Sequence, residues 1–176
     1  METQSRIPRS AAIMAVILFA SAVGTLPPRA GGPVKPAMTR LPEFSLKDVD
    51  GKEWTNAQFR GKALVIDFWA TWCNTCKETI PKLAELNEKY KNGGLTIIGI
   101  SVDKGSAEKI RKAGKKLGIN YLVLLDKENT LGKSFGFNGI PSLYIFDKHG
   151  DLKTAMPGYD PAQEGELVAA AEKAMH

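Results

Sequence analysis

The stretch ALVIDFWATWCNTCKETIP, residues 63–81, constrains the fold more tightly than any other part of the chain. Its first seven residues are apolar except for Asp67. A run of that length and composition suits a central strand covered on both faces. The chain then passes Cys73 and Cys76, its only two cysteines, and enters a helical pattern. From Lys77 to Tyr90 the residues Ile80, Leu83, Leu86 and Tyr90 fall on one side, and Asn92-Gly93-Gly94 ends the pattern. Pro81 lies inside this helix and removes one hydrogen bond, which predicts a kink. A buried strand that turns directly into an amphipathic helix predicts an α/β fold.

The flanking segments extend the pattern. LTIIGISV (95–102) and YLVLL (121–125) read as further strands, with helices over 106–117 and 130–135. SLYIF (142–146), a turn at 148–150 and residues 152–156 read as a hairpin, and Pro161 opens a last helix to about Ala174. Upstream, FSLKDVDGKEWT (44–55) holds two short strands around Asp50-Gly51, a hairpin signal. Strands that alternate with helices predict a parallel sheet in a helix–sheet–helix arrangement of three layers, with the closing hairpin as an antiparallel edge.

Charge divides the chain unevenly. From Leu41 onward Lys+Arg and Asp+Glu number 19 and 18, whereas the first 40 residues hold five basic residues and one acidic one. The domain therefore has no field suited to nucleic acid, and the run Lys109, Arg111, Lys112, Lys115, Lys116 reads as a solvated helix face. Arg6 and Arg9 precede the apolar run AAIMAVILFASAVGTL (11–26), the pattern of a secretory signal. Cleavage after Ala22 follows a small-x-small site; retention as a short membrane anchor is the alternative, although the run is shorter than the roughly 20 residues of a span. Residues 1–26 are thus a signal peptide or short anchor, 27–40 a Pro/Gly-rich linker, and 41–176 the domain.

Closely spaced cysteines serve few chemistries. A zinc site needs about four ligands, and the only histidines are His149 in a turn and His176 at the terminus. Haem attachment needs His after the second Cys, where Lys77 stands. A disulfide that closes so small a loop is a poor staple. Reversible dithiol–disulfide chemistry remains. At a helix start, unpaired N–H groups favour a thiolate and lower its pKa below the free value of about 8.5. Cys73 is then the outer, attacking thiol near solvent. Cys76, about one turn on, is placed to attack a mixed disulfide from beneath.

WCNTC after VIDFWAT, with Pro81 in the following helix and GIPSLYIFDKHGDL near the end, resembles the thioredoxin fold. More closely, residues 41–176 resemble the extracytoplasmic TlpA/ResA-like thiol–disulfide oxidoreductases. The resemblance implies a thioredoxin-like α/β domain with an N-terminal hairpin and a strand–helix insert around 121–136. It implies that Cys73 attacks and Cys76 resolves, that Pro141 is a cis-proline facing the disulfide, and that the Ile140 backbone pairs with an incoming peptide. Trp72 matches a flat residue beside the active site, with simple packing as the alternative. Asp67 matches the buried acid that exchanges a proton with the resolving cysteine, with a polar network in the strand as the alternative. Many relatives of this kind carry Asn at that place and Glu three residues after the second Cys. Here Thr79 occupies the latter position and Glu78 precedes it. Asn74 and Thr75 also depart from the common pattern, which leaves the direction of electron flow open.

The function implied is an exported thiol–disulfide oxidoreductase, a reductase of disulfide-containing client proteins, supplied by a transmembrane thiol electron donor. Cytochrome c maturation enters by resemblance alone. No cofactor and no metal are expected, and the chain is expected to act as a monomer in the periplasm or at the outer membrane face. Two alternatives stand beside this. A peroxiredoxin-like peroxidase would need Pro and Thr or Ser where Ile66 and Ala70 stand. A non-catalytic binding or chaperone module would leave the cysteine pair unexplained.

Overall fold

A computed structural model describes residues 38–176. The signal or anchor expected in 1–26 and most of the linker lie outside them. Among the described residues no helix is long and apolar enough to cross a membrane.

Seven strands form one sheet. They are β1 (Ser45–Asp48), β2 (Glu53–Thr55), β3 (Ala63–Trp69), β4 (Leu95–Ser101), β5 (Leu122–Leu125), β6 (Ser142–Phe146) and β7 (Leu152–Pro157). Their spatial order is β2-β1-β5-β4-β3-β6-β7. The three central strands β5, β4 and β3 run parallel, as predicted, and β6–β7 closes one edge antiparallel. The N-terminal hairpin joins the same sheet at the other edge, where β1 pairs antiparallel with β5. Asp48 builds its turn: the carboxylate accepts from Asp50 N–H (2.8 Å), Lys52 N–H (3.0 Å) and Trp54 Nε1–H (2.8 Å), while Gly51 takes φ +88°.

The helices are α1 (Asn74–Tyr90), α2 (Ala107–Lys116), α3 (Thr130–Phe135) and α4 (Glu164–Ala174). The connections β3-α1-β4 and β4-α2-β5 step in the same direction across the sheet. Right-handed crossovers therefore put α1 and α2 on one face. Alternation along β3 divides the core accordingly. Ala63 and Val65 pack with Leu83 and Leu86 of α1 and with Leu167 and Ala171 of α4. Leu64, Ile66 and Phe68 pack with Leu131 and Phe135 on the opposite face. The result is the three-layer arrangement expected.

Boundaries differ at two informative places. The first active helix begins at Asn74, not Lys77, because Cys73 serves as its N-cap. Sulfur is not among the usual capping groups, so the sequence carries no start signal there. Residues 38–40, read as linker, lie against the β6–β7 turn: Thr39 C=O accepts from Leu152 N–H (2.8 Å) and Arg40 pairs with Asp151 (3.3 Å). α1 continues through Pro81, which is exposed, so water can satisfy the carbonyl that the proline leaves unpaired.

Candidate active site

The site forms where β3 ends and α1 begins. Cys73 and Cys76 are joined as a disulfide, and the Cys73 sulfur accepts from the Cys76 N–H at 3.1 Å. The outer–inner order expected is present, with Cys73 6% and Cys76 1% exposed. The outer sulfur of the oxidised pair is nonetheless nearly covered rather than open to solvent. Both pack with Trp69, Ala70, Ile80, Ile110 and Val123.

The loop between strand and helix is clamped from β4. Asp103, just past the end of that strand, accepts from the Thr71 N–H (2.8 Å) and the Thr71 hydroxyl (2.8 Å). The Ser101 hydroxyl donates to the same carboxylate at 2.9 Å. Sequence reasoning missed Thr71 and Asp103. The available signal was an acid at the carboxyl end of a buried strand, where the sites of parallel sheets gather.

Because β6 runs antiparallel to β3, its first residue, Ser142, lies opposite Phe68. That register brings Ile140 and Pro141 beside the cysteine loop. The Ile140–Pro141 bond is cis, and Ile140 packs against the cluster that holds both cysteines. Pro141 C=O accepts from Tyr159 N–H at 3.1 Å, and Gly139 C=O accepts from the Ser142 hydroxyl at 2.7 Å. Among the described residues Ile140 itself makes no backbone hydrogen bond. Its N–H and C=O are available to another chain. Trp72 is 67% exposed, the one large apolar side chain so exposed among the described residues, so packing is not its role.

Asp67 lies on the α1 face of β3, in register with Gly99 and Leu143. It is fully buried, and neither carboxyl oxygen has a hydrogen-bond partner among the described residues. The polar network considered for it does not exist there. Burial alone pushes its pKa up to about 7. Thr79 is buried and its hydroxyl donates to Thr75 C=O (3.2 Å), whereas Glu78 is exposed. No second carboxyl group therefore stands in for the glutamate that relatives carry.

With this geometry in place, comparison with known proteins is informative. Residues 38–155 match the model of the AhpC/TSA family. This chain belongs to the AhpC/TSA family. Within it, the thiol-disulfide oxidoreductase ResA of Geobacillus thermodenitrificans is 27% identical over 117 residues, 66% of this chain and 67% of that protein. A thiol:disulfide interchange protein of the thioredoxin family from Chlorobium tepidum superposes with a TM-score of 0.66 at 27% identity, covering 81% of this chain and 99% of its own. Another from Chlorobium tepidum, assigned as DsbE, gives 0.72 at 23% identity over 77% and 95%, and supports the fold alone. The thioredoxin-like fold expected from the sequence is the fold observed. Ile66 and Ala70, where a peroxidase motif would need polar or proline residues, are fully buried in this family member.

Proposed function

We propose that the chain is an exported thiol–disulfide oxidoreductase that reduces client disulfides through Cys73 and Cys76. The observation that carries this reading is the Cys73 sulfur at the N-cap of a 17-residue helix, bonded to Cys76 one turn further in. The N–H groups of that first turn favour a thiolate on Cys73 once the pair is reduced.

The chemistry follows from the placement. The Cys73 thiolate attacks one sulfur of a client disulfide; the client S–S bond breaks and one client thiolate leaves. Cys76 gives its proton to the Asp67 carboxylate, and the resulting thiolate attacks the Cys73 sulfur. The mixed disulfide breaks, the second client thiolate leaves, and the Cys73–Cys76 bond remains. Two electrons have passed to the client and one proton rests on Asp67. An acid with a pKa near 7 suits that exchange at neutral pH. Trp72 offers a flat apolar contact to the client, and the free Ile140 backbone offers strand pairing beside Pro141.

The charged and apolar pattern of residues 1–26 supports export, either with cleavage or with a membrane tether. A reductase in an oxidising compartment must be re-reduced, so a transmembrane thiol donor is part of the reading. Apocytochrome disulfides in cytochrome c maturation, or a copper-protein maturation factor, are the clients suggested by resemblance. The enzyme works as a monomer.

The test is trapping. A Cys76→Ser variant should accumulate mixed disulfides through Cys73 that dithiothreitol releases, and the released proteins identify the clients. Equal trapping by Cys73→Ser, or none by either, contradicts the assignment.

A further inference from the structure

The α1 face holds three neighbouring polar side chains that are buried without a hydrogen-bond partner among the described residues. They are Asp67 through both oxygens, Trp69 through Nε1 and Tyr121 through its hydroxyl. The sheet brings them together. Asp67 is in register with Gly99. A Cβ at Gly99 would lie 3.0 Å from Trp69 Nε1 and 3.1 Å from Tyr121 Cε2, so glycine allows the indole and the phenol to close over this point. Burial, and secondarily the Asp67 charge, disfavour ionisation of the Tyr121 phenol and keep it a neutral hydroxyl. Tyr121 also lines an open pocket of about 360 Å³ between α2 and the β1–β2 turn, together with Asp48, Asp50, Arg111 and Lys115.

An acid that accepts a proton in each turnover must also return it. The route past the disulfide is closed, since both sulfurs are nearly covered. Trp69 Nε1–H can only donate and cannot relay, whereas a tyrosine hydroxyl both donates and accepts. The other titratable groups packed on this face are Cys76, Tyr159 and Tyr90. Burial, with Glu164 and Asp160, pushes Tyr159 up to about 12, and Tyr90 is engaged with Glu172. Ile97, Gly99, Leu143, Leu167 and Ala171 from the remaining elements carry no proton to exchange.

We propose that Tyr121 is a positioning residue that passes the Asp67 proton, by way of a bridging water, to the pocket between α2 and the β1–β2 turn. This rests on the role given to Asp67 above. The protonated carboxyl gives its proton to the water, the water gives one to the Tyr121 oxygen, and the phenolic proton leaves to pocket solvent. Tyr121 ends unchanged and no electron moves. Protons thus leave on one side of the molecule while the client occupies the other.

The test is a ¹³C carboxyl NMR titration of the oxidised protein, with Asp67→Asn to assign the Asp67 line. In the unaltered protein that line should move as one averaged signal through neutral pH. In Tyr121→Phe, which keeps the ring, exchange should slow at least about tenfold, broadening or splitting the line near its midpoint. Imidazole, small enough for the pocket, should fail to restore fast exchange, because the missing link is internal. An unchanged line width in Tyr121→Phe overturns the relay. An unchanged pH profile of client reduction in Asp67→Asn overturns instead the role of Asp67, and the two failures are separately visible.

Discussion

A carboxyl group buried without a hydrogen-bond partner is favoured in its neutral form, and Asp67 is such a group. In the unfolded chain it ionises near 3.8, in the fold near 7. Between those values the folded state holds a proton that the unfolded state lacks. The stability that neutral Asp67 contributes is therefore complete below about pH 4 and is lost as pH rises through about 7. The loss is on the order of 4 kcal/mol. Asp67→Asn should flatten this dependence, leaving the oxidised variant more stable than the parent at pH 8 by a few kcal/mol in urea denaturation. Equal slopes between pH 5 and pH 8 in the two proteins would contradict the assignment. The same substitution should remove a titration near pH 7 from the rate of client reduction. Asp67 was legible in the sequence as the one polar interruption of ALVIDFW. Its lack of partners was not, because that depends on Gly99 and Tyr121, which only strand pairing brings alongside.

At the scale of elements, the site depends on how β3, β4, α1 and β6 meet. Strand β3 was readable because burial on both faces leaves a continuous apolar run. The start of α1 was not, since its cap is a cysteine sulfur rather than a hydroxyl or carboxylate. The link from β4 to the cysteine loop was equally hidden, for Asp103 and Thr71 are far apart in the chain and meet only across the parallel pair. Removing that link should loosen the loop. Asp103→Ala leaves the Thr71 N–H and hydroxyl and the Ser101 hydroxyl without their shared acceptor. Since hydrogen bonds to a charged acceptor contribute about 1.5–3 kcal/mol each, and water recovers part of that, a destabilisation of about 2–4 kcal/mol is expected. The variant should also show slower reaction of Cys73, because the loop that sets its position is no longer fixed. A wild-type urea midpoint together with wild-type Cys73 reactivity would mean that the clamp is idle.

For the whole molecule, the alternation of strands and helices conveyed the three layers, and the apolar runs conveyed the parallel centre. The far edge was less legible: the N-terminal hairpin could be read as a hairpin, but its pairing with β5 depends on a contact between distant segments. The two central crossovers put α1 and α2 on one face, so the cysteines lie at the mouth of that face while Tyr121 and its pocket lie deeper along it. The fold therefore serves one end: it holds a sulfur at the start of a long helix, with a second sulfur and a buried acid behind it. The most direct measurement of that claim is the pH dependence of alkylation by iodoacetamide in the reduced protein, with the modified residue identified by mass. Cys73 should react with a midpoint at least about one unit below the ordinary thiol value of about 8.5, while Cys76 stays protected. A Cys73 midpoint at or above that ordinary value, or a Cys76 that reacts as readily, would contradict the account.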